Sequence, residues 1–325
     1  MKKLLQWSLA VGLATAGAIL PALAQDFPNK PIRFIVPFSP GAGTDATGRI
    51  VAEGLSKRLG QPVIVENKAG AGSMIGIEYV LKSPADGYTL LYGTADGITV
   101  LPAVNPKVPY KVPDDLLFLT RTFTMPFAIA VSNSLPVNTW DEFIAYAKAN
   151  PGKVTYATSG IGGGGHLATA LLEKTAGISM THVPYKGVGQ FIPDLLSGTI
   201  SVGLVTPPTI NPHYAANKVK VLAQSGPTKH PLLPNVPTFV ELNLKDAVVE
   251  VWYGVMAPAG LPANVREKLI RELTLVLKDP EVLDRLNRAG WTPNPVEGDA
   301  FRKFAVDELG VWTSVAKASK IEITE

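Results

Sequence analysis

A predicted strand, a glycine turn and a helix start follow one another between residues 31 and 49, and this unit constrains the fold more than any other stretch. Residues 32–38 are apolar without helical spacing, which predicts a buried strand. Gly41 and Gly43 permit a sharp turn, because glycine tolerates positive φ. A helix is predicted from residue 46 to about residue 59. The free N–H groups and positive dipole end of such a helix indicate a small anion site.

The same unit recurs in the second half of the chain. A predicted strand at residues 154–157 leads into the glycine-rich loop 158–165 and a predicted helix at 166–176. Strands and helices alternate around both units, which predicts an α/β fold with parallel sheets and right-handed crossovers. We expect each unit to belong to one of two lobes, with both helix N-termini pointing at a shared cleft. The glycine loops lie at the carboxyl ends of strands, which is where open α/β sheets bind ligands.

Several local features are predicted within this framework. Thr44 or Asp45 is expected to cap the first helix, Ser73 the second and Thr139 the helix at 139–150. We also expect an irregular proline-rich segment at 101–115, a strand at 127–132 and a turn around Pro207-Pro208.

The first 24 residues have the features of an export signal. Lys2 and Lys3 precede the apolar run 4–20, and Pro21-Ala22-Leu23-Ala24 ends in an A-x-A pattern that predicts cleavage after Ala24. The alternative is a single membrane anchor, which the short apolar run disfavours. No cysteine occurs in the chain, so a lipid anchor, a disulfide framework and a thiolate site are excluded. We therefore expect a free periplasmic protein.

Charge and histidine spacing exclude further classes. Removing residues 1–24 takes away two lysines and no acids, so 28 basic residues face 27 acidic ones. This balance lacks the basic excess of a nucleic-acid-binding protein. The four histidines show no i, i+4 pair and no accompanying carboxylate cluster, so a metal site is not expected.

The first glycine loop allows two other interpretations. The string GAGTDA with Glu66 about 25 residues further on resembles a dinucleotide-binding fingerprint. An export signal argues against a nicotinamide enzyme, and Asp45 would repel a pyrophosphate. The other alternative is that these glycines only make a tight turn.

The second glycine loop also allows a serine hydrolase, with Ser159 as nucleophile and His166 as base. No G-x-S-x-G motif is present, and the sequence shows no paired histidine and aspartate for Ser159. His166 either donates to a ligand or is satisfied by backbone or water. Tryptophans are more often core residues, although Trp252-Tyr253 on a predicted lobe-crossing strand is placed to reach a ligand.

Several motifs along residues 25–325 resemble one known family. They are PNKPIRFIVPFSPGAGTDATGR, GQPVIVENKAGAGSMIG, ADGYTLLYG, NPGK at 150–153, HVPYKG at 182–187, LPNVPTFVE and MAPAGLP at 256–262. Together they resemble the periplasmic receptors of tripartite tricarboxylate transporters, the Bug receptor family. The resemblance implies a type II periplasmic-binding-protein fold, whose two lobes close on a ligand. It also implies a membrane permease as partner, no catalysis and no cofactor, and we expect a monomer.

The resemblance further implies that backbone amides and waters of the loops 39–45 and 158–166 hold a ligand carboxylate. The positive dipole ends of the two helices stabilise the ligand carboxylate there, so no arginine is needed to bind it. The residues expected at the ligand are Phe38, Ser39, Gly41, Ala42, Gly43, Thr44, Asp45, Thr94, Asp96, Thr158, Ser159, Gly162, Gly163, Gly164, Gly165, His166, Val205 and Thr206.

Three departures from the family pattern bear on the ligand. Gly41-Ala42-Gly43 stands where three glycines are common, and Gly162–Gly165 where hydroxyl or amide side chains are common. Val205-Thr206-Pro207 replaces a frequent Asp-Asn pair. These changes make the cleft roomier and less polar, and they remove an acid that could pair with a ligand ammonium group. The ligand is therefore predicted to be a carboxylate without an amine, such as terephthalate or a related aromatic acid. A C4–C6 aliphatic dicarboxylate is the nearest alternative.

The predicted division of the chain is discontinuous. Lobe 1 is expected to comprise residues 25–125 and 225–325, and lobe 2 residues 126–224. Hinges are expected at Thr124–Pro126 and Ser225–Pro227. The soluble partner of a two-component sensor would share the same fold and ligand, so it stays an alternative to a transport receptor.

Overall fold

A six-stranded mixed sheet forms one half of the molecule in the computed structural model, which describes residues 27–41 and 43–323. Its strands are β1 (Ile32–Val36), β2 (Val63–Asn67), β3 (Thr89–Thr94), β4 (Leu116–Pro126), β10 (Glu250–Pro258) and β11 (Pro293–Glu297). They lie in the order β11–β4–β10–β3–β1–β2. β1, β2 and β3 are parallel, as predicted, whereas β10 runs antiparallel to both neighbours.

A five-stranded sheet forms the other half. Its strands are β5 (Ala128–Ser132), β6 (Thr155–Thr158), β7 (Thr181–Pro184), β8 (Val202–Val205) and β9 (Val219–Gln224). They lie in the order β7–β6–β8–β5–β9, and β6 is parallel to both of its neighbours. Each sheet thus contains one parallel series with connecting helices, which confirms the predicted α/β fold with two lobes.

Helices cover both sheets. They are α1 (Gly43–Leu59), α2 (Met74–Leu81), α3 (Leu101–Val104), α4 (Trp140–Ala149), α5 (Gly164–Ala176), α6 (Val188–Ser197), α7 (Pro207–Ala215), α8 (Ala263–Val276), α9 (Pro280–Arg288) and α10 (Gly298–Ser319). A single π-helical turn, Asp96–Val100, follows β3 directly. In the part of the chain that the structure describes, no helix is both long and apolar enough to cross a membrane. The predicted signal peptide, residues 1–24, and Ala42 lie outside the described residues.

Of the three predicted helix caps, one is present in the structure. Thr139 caps α4 as predicted, because its side chain accepts a 3.2 Å hydrogen bond from the N–H of Glu142. The cap predicted at Ser73 is wrong: its backbone is left-handed, with φ of 81°, and its side chain bonds no helix N–H. The first helix begins at Gly43, so Thr44 and Asp45 lie inside its first turn instead of capping it.

Two segments have a different secondary structure from the one predicted, namely the turn at Pro207-Pro208 and the strand at 127–132. The predicted turn at Pro207-Pro208 is the start of α7, since proline fits the first helical positions, where an N–H has no intrahelical partner. The strand predicted at 127–132 is only the second half of an extended stretch. β4 precedes it, and the chain passes from β4 in one sheet to β5 in the other at Phe127.

Three chain segments meet where the lobes join. The N–H of Phe127 donates to Oγ of Ser225 at 2.8 Å, and the N–H of Ser225 donates to the carbonyl of Phe127 at 2.8 Å. Oγ of Ser225 in turn donates to the carbonyl of Val249 at 2.6 Å. Phe239 and Ala247 lie in the apolar core of the second sheet. We therefore propose that the second lobe extends to about Val249, while the hinge positions stay predictions.

The last helix connects both lobes. Phe301 and Ala305, in its first half, pack in a core under the first sheet. Trp312 and Val315, in its second half, pack in the core of the second sheet. Beyond the helix, the N–H of Ile323 donates to the carbonyl of Val104 at 2.8 Å. Any change in the angle between the lobes must therefore be accommodated along α10.

Candidate functional site

A cavity of about 170 Å³ lies between the two sheets, beyond the carboxyl ends of β3 and β8. The first turn of α5 and the beginning of β10 complete its wall. This is where open α/β sheets bind ligands. The wall consists of Thr94, Ala95, Asp96, Phe127, Ser159, Gly164, Gly165, Val188, Leu204, Val205, Thr206, Val251, Trp252 and Tyr253.

Two of the larger surface grooves are less suited to enclosing a small ligand. One, of about 630 Å³, follows α8 and is lined by charged side chains such as Arg266 and Glu267. The other, of about 460 Å³, lies beside the end of α2. Each is built from the first lobe alone and away from the glycine loops. The smaller cavity is lined by residues from both lobes and includes the end of the second glycine loop, whereas a further groove of about 350 Å³, beside Glu308 and Trp312, lies away from both glycine loops.

Asp96 joins the two lobes across this cavity. Its Oδ1 accepts a 3.0 Å hydrogen bond from the backbone N–H of Gly164, the first residue of α5. Asp96 is exposed to the open cleft. Desolvation by the protein packed around its carboxyl nevertheless raises the pKa of Asp96, and the Gly164 N–H opposes this by stabilising the carboxylate. A protein carboxylate thus lies at the helix start where the sequence predicts a ligand carboxylate.

Thr94 lines the same cavity and carries a buried hydroxyl without a partner. Its side chain is 4% exposed, and among the described residues Oγ1 has no hydrogen-bond partner. An unsatisfied buried hydroxyl costs about 1–3 kcal/mol, so such groups in native proteins usually have a reason. The Thr94 hydroxyl is therefore an unused donor beside the cavity, and its role as a ligand contact stays a prediction.

Thr158 and His166, two polar residues of the second glycine loop, are engaged by His182 and by the loop backbone. Oγ1 of Thr158 lies 2.7 Å from Nε2 of His182, whose ring stacks on His166 with centroids 3.9 Å apart. Nδ1 of His166 accepts a 3.1 Å hydrogen bond from the Gly162 N–H. Burial and the neighbouring His182 lower the pKa of His166 to about 4, so its ring is neutral near pH 7. His166 shapes the loop and does not reach the cavity wall.

Asp45 holds the first glycine loop from within. Its carboxylate accepts hydrogen bonds from the Gly41 N–H at 2.9 Å, from Asn67 at 2.8 Å and from Arg49 at 3.1 Å. Although burial acts to raise it, these donors together lower the pKa of Asp45. The N–H of Gly41 is therefore already occupied by Asp45.

Tyr253 separates the first loop from the cavity. Its ring lies 4.7 Å from that of Trp291 and 5.9 Å from that of Tyr92. A Cβ placed on Gly43 would stand 3.9 Å from the Tyr253 hydroxyl and 3.4 Å from Trp291. The first glycine loop thus lies directly behind this aromatic layer.

The cavity wall contains a minority of the residues expected at the ligand. Those in the wall are Thr94, Asp96, Ser159, Gly164, Gly165, Val205 and Thr206. Those outside it are Phe38, Ser39, Gly41, Gly43, Thr44, Asp45, Thr158, Gly162, Gly163 and His166. Ala42 is not described. Their roles as ligand contacts stay predictions.

Sequence reasoning left out several wall residues. Phe127 and Val251 lie at the lobe crossings, and Leu204 directly precedes the predicted residue Val205 on β8. Nothing local marks these apolar side chains as different from core residues. Trp252 and Tyr253 carried a signal, namely two aromatic residues on a strand expected to cross between the lobes.

A hydrolytic or metal site finds no geometric support. Over residues 27–41 and 43–323, no hydrogen bond joins Ser159 to His166. The nitrogen of His166 that the structure shows engaged accepts a backbone N–H instead. The same residues include no group of three or more histidine, aspartate or glutamate side chains able to hold a metal ion.

Comparison with known proteins decides the family. The profile of the tripartite tricarboxylate transporter family receptor matches residues 47–321. The chain belongs to this family. BugT of Bordetella pertussis is 34% identical over 310 residues, which are 95% of each chain. The receptors of this family are not enzymes.

Solved structures agree with this assignment. The periplasmic binding protein BugD is 30% identical with a TM-score of 0.75, over 91% of this chain and 99% of that one. Rpa4515 of R. palustris, solved with adipate, is 29% identical with a TM-score of 0.78, over 91% of this chain and 99% of that one. This receptor thus shares the two-lobed fold of periplasmic binding proteins.

Proposed function

We propose that this receptor captures a small carboxylate in the periplasm and delivers it to a tripartite tricarboxylate-type membrane permease. The cavity between the lobes carries the proposal, because both lobes contribute to it and α5 points its N-terminus at it. A ligand that contacts both lobes stabilises the closed arrangement relative to the open one. The family membership supports the permease as recipient.

An aromatic acid such as terephthalate is our first candidate ligand. Phe127, Leu204, Val251 and Trp252 line the cavity, and this apolar wall suits a flat ring with terminal carboxylates. A C4–C6 aliphatic dicarboxylate is the second candidate. The volume of about 170 Å³ favours a small ligand, since pockets for drug-sized molecules span roughly 300–1,000 Å³.

A thermal-shift panel with the protein purified from the periplasm tests the receptor function. Terephthalate, adipate, a tricarboxylate and an amino acid are added separately. We expect one dicarboxylate to raise the midpoint progressively with its concentration, because a ligand that binds only the native state stabilises it. A shift with adipate alone would keep the receptor and reject the aromatic ligand. No shift with any acid would contradict the proposed function.

The hydroxyl of Thr94 provides a sharper test of the site. Thr94→Val removes an unpaired buried hydroxyl and keeps the shape, so we expect stability to be unchanged or slightly higher. Affinity for the acid found in the panel should fall about tenfold, the worth of one hydrogen bond near 1.4 kcal/mol. Thr175→Val on the outer part of α5 is the matched control for binding. Equal affinity of the Thr94 variant and the parent would remove Thr94 from the site.

A further inference from the structure

We propose that this receptor takes up a proton with its ligand, because a ligand carboxyl group and the Asp96 carboxyl share one proton at the start of α5. This inference rests on the proposed carboxylate-receptor function and assigns Asp96 as the residue that sets the charge state of the bound acid. No bond other than that to the proton is made or broken, and the proton comes from solvent.

The geometry places both groups at one helix start. Asp96 accepts the N–H of Gly164, while the N–H groups of His166 and Leu167 bond to the carbonyl of Gly163. Within the described chain, the hydrogen bonds leave the intervening N–H of Gly165 without an acceptor, and Gly165 lies in the cavity wall. A ligand carboxylate on that N–H lies next to the Asp96 carboxylate.

A second unsatisfied group marks the same place. Thr94, two residues before Asp96, is part of the cavity wall, and its hydroxyl is buried and unpaired among the described residues. It can donate to one oxygen of a ligand carboxyl group while Gly165 donates to another. Asp96, Thr94 and the start of α5 thus form one subsite with acceptors and donors for a protonated carboxyl pair.

The charges around Asp96 do not supply a counter-ion. In the described structure, no lysine or arginine pairs with Asp96. The titratable groups that face it are Glu308 from α10 and Tyr253 from β10, both of which interact with it electrostatically. Arg121 on β4 acts on Glu308. A second carboxylate entering this region therefore meets negative charge without a compensating cation.

Two carboxylates held this close cannot both be ionised, so the pair keeps one proton between them. Asp96 is exposed to the cleft in the protein alone, although desolvation by the surrounding protein already raises its pKa. A ligand that fills the cleft removes water from Asp96 and adds a second carboxylate, and both changes act in the same direction. Near neutral pH, binding then takes up about one proton per ligand. Affinity is expected to fall about tenfold for each pH unit where free Asp96 and ligand are both ionised.

Calorimetric titration tests this directly, with terephthalate and adipate as probes in two buffers of different ionisation enthalpy. The parent should take up close to one proton per ligand near neutral pH. Asp96→Asn keeps an oxygen that can accept the Gly164 N–H but removes the charge. This variant should bind at least about tenfold more tightly at neutral pH, without proton uptake and with a flat pH profile.

Asp141→Asn, an exposed acid in the first turn of α4, is the matched control and should behave like the parent. Binding by the parent without proton uptake overturns this proposal and leaves the receptor function standing. Weaker binding by Asp96→Asn also overturns it, since Asp96 would then hold a ligand hydroxyl or ammonium group. Binding of neither acid, nor any panel compound, to the parent overturns the receptor function itself.

Discussion

Replacing Trp252 by alanine is expected to lower the free energy of unfolding by about 4 kcal/mol and to weaken acid binding more than about tenfold. Trp252 is fully buried, and its ring meets Phe301 edge-on at 5.2 Å and Phe304 at 6.1 Å. It also forms part of the cavity wall. Removing it opens a void in the core of the first lobe and takes away one side of the binding cavity.

A matched tryptophan separates the two effects. Trp140 is 6% exposed and packs between Phe143 and Phe239 in the second lobe, away from the cavity wall. Trp140→Ala should therefore cost about as much stability, roughly 3–5 kcal/mol, while the affinity of the folded protein stays that of the parent. Urea unfolding and calorimetric titration measure the two quantities. If both variants lose affinity equally, the loss reflects general destabilisation and not the cavity.

Short strands bounded by glycine or proline were predictable from sequence, because their apolar runs carry the signal locally. β4 was not predicted, since its sequence includes Arg121 among apolar residues and threonines. In the structure Arg121 is 7% exposed, and its guanidinium lies 4.6 Å from the centre of the Phe304 ring. A charged residue inside a strand is tolerated here because a distant helix covers it, and no local pattern shows that helix.

The binding region was predictable to the level of the two glycine loops and no further. Each loop lies at a strand end followed by a helix start, as the sequence indicates. Which N–H groups remain free depends on side chains that fold back onto them. Asp45 occupies the N–H of Gly41 from four residues away, whereas Asp96 reaches Gly164 from 68 residues away. The second of these contacts exists only through the packing of one lobe against the other.

The partly buried acid Glu308 links this packing to pH. Its Oε2 accepts hydrogen bonds from Thr99 at 2.5 Å and from the Trp252 indole N–H at 2.6 Å, so α10 is tied to the strand that lines the cavity. Burial raises the pKa of Glu308 to about 7, and the charge of Asp96 adds to the rise. The two hydrogen bonds and the charge of Arg121 oppose it only in part.

The pKa of Glu308 is higher in the folded state, about 7, than its ordinary value of 4.5. Between these two pH values the folded protein therefore binds more protons than the unfolded chain. The stability from protonated Glu308 is therefore complete below the lower value and is lost as pH rises through the upper one. Its size is about 3 kcal/mol. Glu308→Gln keeps an oxygen for both donors and stays neutral at every pH, so we expect it to escape this loss.

Urea unfolding at about pH 5, 7 and 9 compares the variants. The parent and Glu308→Gln should be similarly stable at the lowest pH, and Glu308→Gln should be more stable by about 3 kcal/mol at the highest. Glu267→Gln, at an exposed position on α8, should follow the parent throughout. Parallel curves for the parent and Glu308→Gln would show that Glu308 is ionised already at low pH. The tie between α10 and Trp252 would then rest on a charged carboxylate.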